Sequence, residues 1–428
     1  MVRVRAGLTG LVALALAAVG CTSDSDGGDR AGDAATATTA HHAAAQPALA
    51  ADATPREVRA RYEQLLGQHA LLAMRLARSE VAKDAELQKV VEGSLAANAD
   101  ALQQLVGVTY DGAQATEFEQ LWQGYRDELA AYADAAAAGN TTGAEEARAA
   151  LLAHCDDWGA WLADASGGRV QAAQATGSAQ ARVGRLMDQI DAYADRDYGQ
   201  AYKLERQAYE HMFAAGTALA KAGLEPKEAA ALDAPAGQLR AAFAMLLGEH
   251  MQLIIDTQRA TFDGAPQFKA AAAQVNANTE ALTKGMGAIV GPKKAEEFQS
   301  AWAEHVEGLL EYSTAVAGND PAEKTAAREE MRGYGARLAL YLSDIVRNEL
   351  PLEPLTAALG EHDQHLVDQI DAYAAKRYDE AQEMELEGYE QMLGVADTIL
   401  GALQKTVKPG LPVGGSQTGG GGTASRTR

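Results

Sequence analysis

Histidine is the residue type best placed to do chemistry in this chain. There are nine, and four of them, His250, His305, His362 and His365, fall in one stretch of the second half. A neutral imidazole offers a nitrogen lone pair and is the commonest protein ligand for copper or zinc. His362 and His365 stand three residues apart, which on a helix puts both on one side. Glu249, Glu304, Glu361 and Asp363 flank these histidines, so carboxylates are at hand to orient the rings from behind. If the helices that bear them fold together, the four histidines form a metal site. The alternative is that each imidazole is a packed core residue bonded to a backbone carbonyl or, beside a glutamate, an ordinary surface residue.

Other chemistries lack their residues. Di-iron centres in ferritin-like bundles use Glu-x-x-His on two helices, and the chain has no Glu-x-x-His. It also has no glycine-rich phosphate loop, no Gly-x-Ser-x-Gly, no His-Glu-x-x-His and no Cys-x-x-Cys. Cys155 stands among tryptophans and reads as a small core residue rather than a nucleophile. The run Asp-Gln-Ile-Asp-Ala-Tyr occurs twice and supplies Asp188, Asp191, Asp368 and Asp371. These could line a cation path, but the interleaved Ile and Tyr suit a solvated face over an apolar one. With no catalytic constellation, no enzymatic activity is expected.

The elements that must position the histidines are helices, and they come in two copies. The chain repeats itself at about 180 residues. Leu65-Leu66-Gly67-Gln68-His69 returns as Leu246-Leu247-Gly248-Glu249-His250, and Leu186 to Tyr193 returns as Leu366 to Tyr373. Glu117-Phe118 and Trp122 return as Glu297-Phe298 and Trp302, and Tyr209-Glu210-His211-Met212 returns as Tyr389-Glu390-Gln391-Met392. Apolar residues recur at three and four within each copy, as in Phe298, Trp302, Val306 and Leu309. Breaks are signalled at Asp111-Gly112, Gly139-Asn140, Asp263 to Pro266, Gly291-Pro292, Gly318 to Pro321 and Leu350-Pro351. The fold class is therefore all-α: two tandem, duplicated helical bundles of five to six helices each, in series, at 54–225 and 233–405. The first copy keeps His69 but has Tyr125, Arg182 and Arg185 where the second has His305, His362 and His365. It has His211 where the second has Gln391. A shared apolar frame with unshared histidines favours function over architecture for the second set, although neutral drift would leave the same pattern.

Residues 1–20 read as an export signal. Arg3 and Arg5 precede an apolar run from Leu8 to Val19, too short to span a bilayer. Ala18-Val19-Gly20-Cys21 then resembles the lipobox of bacterial lipoproteins, with Ala18 where leucine is commonest. That resemblance implies cleavage before Cys21, acylation of its thiol, and anchoring to the cell membrane on its extracytoplasmic face. Residues 21–53 are rich in Ser, Asp, Gly, Thr and Ala and read as a flexible tether in which His41-His42 is incidental. Residues 409–428 read as a disordered Gly-rich tail. A formal net charge of -22 disfavours nucleic acid as a partner. Once Cys21 is acylated, Cys155 has no intramolecular partner, so the core alone must hold the fold.

Glu249-His250-Met251-x-Leu253, Trp302-x-x-His305-Val306, His362 and Tyr209-x-His211-Met212 resemble a helical repeat of exported proteins of Gram-positive bacteria. Some of those proteins carry a neighbouring copper amine oxidase-like domain, which this chain does not show, so no oxidase activity is implied. Under the resemblance His250, His305 and His362 match in the second copy and Gln391 departs. In the first copy His69 and His211 match, while Tyr125 and Arg182 depart. The expected function is that of a membrane-anchored extracytoplasmic binding lipoprotein. It takes a transition metal, copper or zinc, through histidines of the second bundle. The alternative is a non-catalytic envelope structural or protein-interaction module, with an envelope protein as partner.

Overall fold

A computed structural model describes residues 49–50, 52–346 and 349–406. Cys21, His41, His42 and the tail at 409–428 lie outside the described residues. So do residues 1–48 as a whole, and residue 51.

Thirteen α-helices and no strand occur among the described residues, as the apolar periodicity predicts. The first copy supplies α1 (Pro55–Ala82), α2 (Ala85–Thr109), α3 (Gly112–Ala138), α4 (Thr141–Ala165), α5 (Ala172–Ala194) and α6 (Tyr198–Gly223). A short α7 (Pro226–Ala231) leads to the second copy. That copy supplies α8 (Pro235–Phe262), α9 (Phe268–Val290), α10 (Pro292–Ala317), α11 (Pro321–Ile345), α12 (Leu352–Ala374) and α13 (Tyr378–Thr406).

Local chemistry sets these ends. Asp111, Asn140 and Asp320 each accept a hydrogen bond from a free N–H of the first turn of α3, α4 and α11. Such caps contribute about 1 kcal/mol each. Pro292 and Pro321 fill first-turn positions where no N–H is needed. Gly139 closes α3 at φ 66°, a left-handed conformation that glycine adopts at little cost.

The duplication is visible in side-chain geometry. In the first copy Asn98 Nδ2 donates to the Leu65 carbonyl at 2.9 Å, and in the second Asn278 Nδ2 donates to the Leu246 carbonyl at 2.9 Å. Tyr132 Oη donates to Asp191, and Tyr312 Oη donates to Asp371, each at 2.6 Å. Arg148 and Arg328 approach the same two carboxylates. Asp191 and Asp371 therefore anchor neighbouring helices rather than line a cation path.

The sequence orders the two bundles along the chain and leaves their relative placement open; the structure sets them side by side and interlocks them. Within each copy α1 lies along α6 and α8 along α13. Between copies α6 meets α9, α13 meets α2, and α1 touches α8 and α13. Equivalent helices thus exchange equivalent contacts about an approximate two-fold axis. Tyr209 and Tyr389, 180 residues apart, meet across it with their hydroxyl oxygens 3.0 Å apart. Gly248 makes room for this: a Cβ there would lie 2.6 Å from Tyr209 Oη, and Gly67 faces Tyr389 Oη in the same way. Each apolar core also borrows a tyrosine from the other copy, Tyr202 in one direction and Tyr389 in the other. This is why α1 and α8 are buried on nearly all sides.

A buried polar network runs through the same interface. Arg75 Nη2 lies 2.9 Å from Asp256 Oδ1 and 3.0 Å from Glu385 Oε1. Arg78 bonds Asp256 and Glu205 while stacking on Tyr202 and Tyr193. Arg259 lies 3.1 Å from Glu385. The linker is pinned as well, since Arg59 donates to the Leu232 carbonyl at 3.0 Å and Lys221 pairs with Asp233 at 2.7 Å. Among the described residues no helix is long and apolar enough to cross a membrane.

Candidate functional site

Three of the four histidines singled out in the second copy converge. α8 brings His250, α10 brings His305, and α12 brings His362, and all three are buried, at 2%, 4% and 1% exposure. Their register follows the apolar stripe of each helix: His305 lies between Trp302 and Val306, and His250 follows Leu247 and precedes Met251. The His305 and His362 rings lie 5.9 Å apart, and the His250 ring stands edge-on to Trp302 at 4.5 Å.

His365 does not join them. It is partly exposed on the outer side of α12, where its Nε2 lies 3.3 Å from Glu387 on α13 and it lines a shallow cleft with Glu361 and Asp368. Of the four flanking carboxylates, only Asp363 contacts one of these rings, with Oδ1 3.0 Å from His305 Nδ1. Glu249 is held instead by Arg206 and Asn278, and Glu304 by Arg337.

The site holds several polar atoms without partners. His305 Nδ1 lies 3.0 Å from Asp363 Oδ1, while its Nε2 is buried with no hydrogen-bond partner. His250 sits by Asn278 and His362 by Gln391, and both neighbours favour the protonated ring. By geometry His250 Nδ1, His362 Nδ1, Asn278 Oδ1 and Gln391 Oε1 are each left without a hydrogen-bond partner. Burial dominates the electrostatics. It lowers the His362 pKa to about 4, with His305 adding to the shift and Asp363 opposing it. Burial likewise holds His250 well below its ordinary value, and the fields of His305 and His362 add to this. These two rings are therefore neutral near pH 7, with lone pairs available.

Among the described residues no group of three or more His, Cys, Asp or Glu side chains stands in position to hold a metal ion. The histidines share a region of the core, but as placed they do not form a closed ligand set.

The equivalent region of the first copy differs. His69 is buried against Trp122 and Tyr125, with both ring nitrogens unpartnered, and burial lowers its pKa to about 3. Tyr125 and Arg182 occupy the places of His305 and His362. Cys155 is buried, as its neighbours suggest, and burial pushes its thiol up to about 11. The sequence motifs contain Asn278 and Gln391 but do not mark them as neighbours of the imidazoles. The repetition of Asn98 and Asn278 at one repeat position was the available signal. No family model, no curated protein and no solved structure matches the chain.

Proposed function

We propose that this chain is an exported, lipid-anchored binding protein whose second copy takes a transition metal ion, copper or zinc, at His305, His362 and His250. The observation that supports it most is His305, whose Nδ1 is held by Asp363 while its buried Nε2 has no partner. A carboxylate behind an imidazole fixes the tautomer and raises ligand basicity. His362 is the neighbouring ring, and His250 is the third. Binding requires His250 or His362 to turn toward His305, since no ready ligand group exists among the described residues. His365 takes no part. The first copy, with Tyr125 and Arg182, binds no metal, so the stoichiometry is one ion per chain. The lipobox-like Ala18 to Cys21 segment supports action at a membrane surface outside the cytoplasm, and no catalysis belongs to this reading.

The test is a titration of untagged protein with copper(II) and zinc(II). Because His250 touches Trp302, copper is expected to quench Trp302 emission at one equivalent. His305→Ala should abolish saturation, and Asp363→Asn should weaken binding by about 10- to 100-fold. Equal stoichiometry in wild type and His305→Ala would sink the metal reading. It would favour the second one, a non-catalytic envelope interaction module, which the missing ligand group and the interlocked copies support. Cys21→Ser should move the protein out of the membrane fraction, and continued retention refutes the anchor.

A further inference from the structure

The first copy presents a cation without a charged partner, Arg182, and its side chain is partly exposed. Arg182 on α5 lies in the wall of a cavity of about 50 Å³, together with Trp122, Tyr125, Leu151, Trp158 and Met212. No Asp or Glu lines this cavity. Among the described residues the Arg182 guanidinium makes no ion pair and no hydrogen bond, whereas Arg75, Arg78, Arg206 and Arg259 each meet a carboxylate. Burial pulls the Arg182 pKa down, and only the fields of Tyr125 and Cys155 oppose that. Both are neutral at pH 7, since burial raises the Tyr125 hydroxyl and brings the Cys155 thiol to about 11. A partly exposed guanidinium beside apolar walls and without a protein carboxylate is free to exchange water for an anion.

We infer that the first copy is a binding site for a small organic monocarboxylate with a short apolar chain, held by Arg182. A carboxylate matches the fork of a guanidinium through two parallel hydrogen bonds. One cation in an apolar wall balances one negative charge, which disfavours sulfate or phosphate. The indole and leucine surfaces reward an alkyl tail, which chloride lacks. The cavity volume limits the guest to a few heavy atoms, in the range of acetate to butyrate. Position 182 is the counterpart of His362, so one repeat position presents a donor in one copy and a lone pair in the other. This inference does not rest on the metal reading.

Trp122 and Trp158 line the cavity, so the full-length chain reports binding by its own fluorescence. Titrations use acetate, butyrate, chloride and sulfate at fixed ionic strength, read by fluorescence and by melting temperature. Butyrate is expected to saturate and to raise the melting temperature, with acetate weaker and the two inorganic anions inert. Arg182→Leu should weaken butyrate by about tenfold or more, while Arg337→Leu on the surface leaves it unchanged. Met212→Phe, which fills the cavity and keeps the cation, should also lose butyrate and covers the case in which Arg182→Leu misfolds. Saturable binding that survives in both Arg182→Leu and Met212→Phe overturns the proposal, as does the absence of saturation by any monocarboxylate in wild type. Copper or zinc binding in the second copy should be unaffected by Arg182→Leu, which separates failure here from failure there.

Discussion

A buried imidazole changes the pH dependence of folding whether or not it binds anything. An exposed histidine in the unfolded chain titrates near pH 6.5, whereas His362 in the folded protein titrates at about 4 because of burial first and His305 second. Between these values the unfolded chain holds more protons than the folded one, so stability is complete above about pH 6.5 and is lost as the pH falls toward about 4. The loss is about 1.4 kcal/mol per pH unit across the window for one such group. Glu205 and Glu385 act in the opposite sense. Burial raises both, so their contribution is present at low pH and is lost as the pH rises past the ordinary carboxylate range. The clean comparison is therefore between variants. His362→Gln is expected to flatten the decline of melting temperature from pH 6.5 to 4 relative to wild type, measured with a chelator present. An unchanged slope would mean that this ring is not held neutral.

Helix pairs carry the next level of specificity, and close approach decides it. α1 and α6 pack with Gly216 at the contact, where a Cβ would lie 2.5 Å from the Glu63 nitrogen and 2.7 Å from its Cα. Those are backbone atoms and cannot rotate away. Gly216→Ala should therefore part the helices at a cost of about 1–3 kcal/mol, seen as a lower melting temperature. Gly184 on α5 is the control, since nothing lies within 4 Å of a Cβ there. Gly184→Ala should stabilise by about 0.4–1 kcal/mol through reduced chain entropy. If Gly216→Ala melts at or above wild type, the tight α1–α6 contact is not what sets their spacing.

At the scale of the molecule the two copies behave as partners. Arg75 and Asp256 sit 181 residues apart at one repeat position and bond each other. In an assembly of two identical copies this position would pair like charges, and divergence of the repeat has made it complementary. α7 has no buried residue, so it is the place to cut. With a protease site inserted there and cleaved, the halves are expected to co-elute in size exclusion. Arg75→Glu should separate them, because it places a third carboxylate against Asp256 and Glu385, and breaking a buried pair costs about 3–5 kcal/mol. Separation of the cleaved wild-type halves would show that the interface is too weak to hold without the linker.

Sequence alone determined the all-α class, the repeat and most helix ends, because caps, first-turn prolines and apolar periods act within a few residues of themselves. Asp320-Pro321 starts α11 for reasons held in that dipeptide and the turn that follows. The histidines were legible as candidates but not as a site. His362 and His365 differ by about 60° around α12, yet one faces the core and the other an open cleft, because the edge of the packed surface falls between them. Which carboxylate backs which ring, that Arg182 has none, and that Arg75 finds Asp256 are relations between residues far apart in the chain. Helix packing settles them, and only the tertiary structure decided which of these charges would meet a protein partner and which would not.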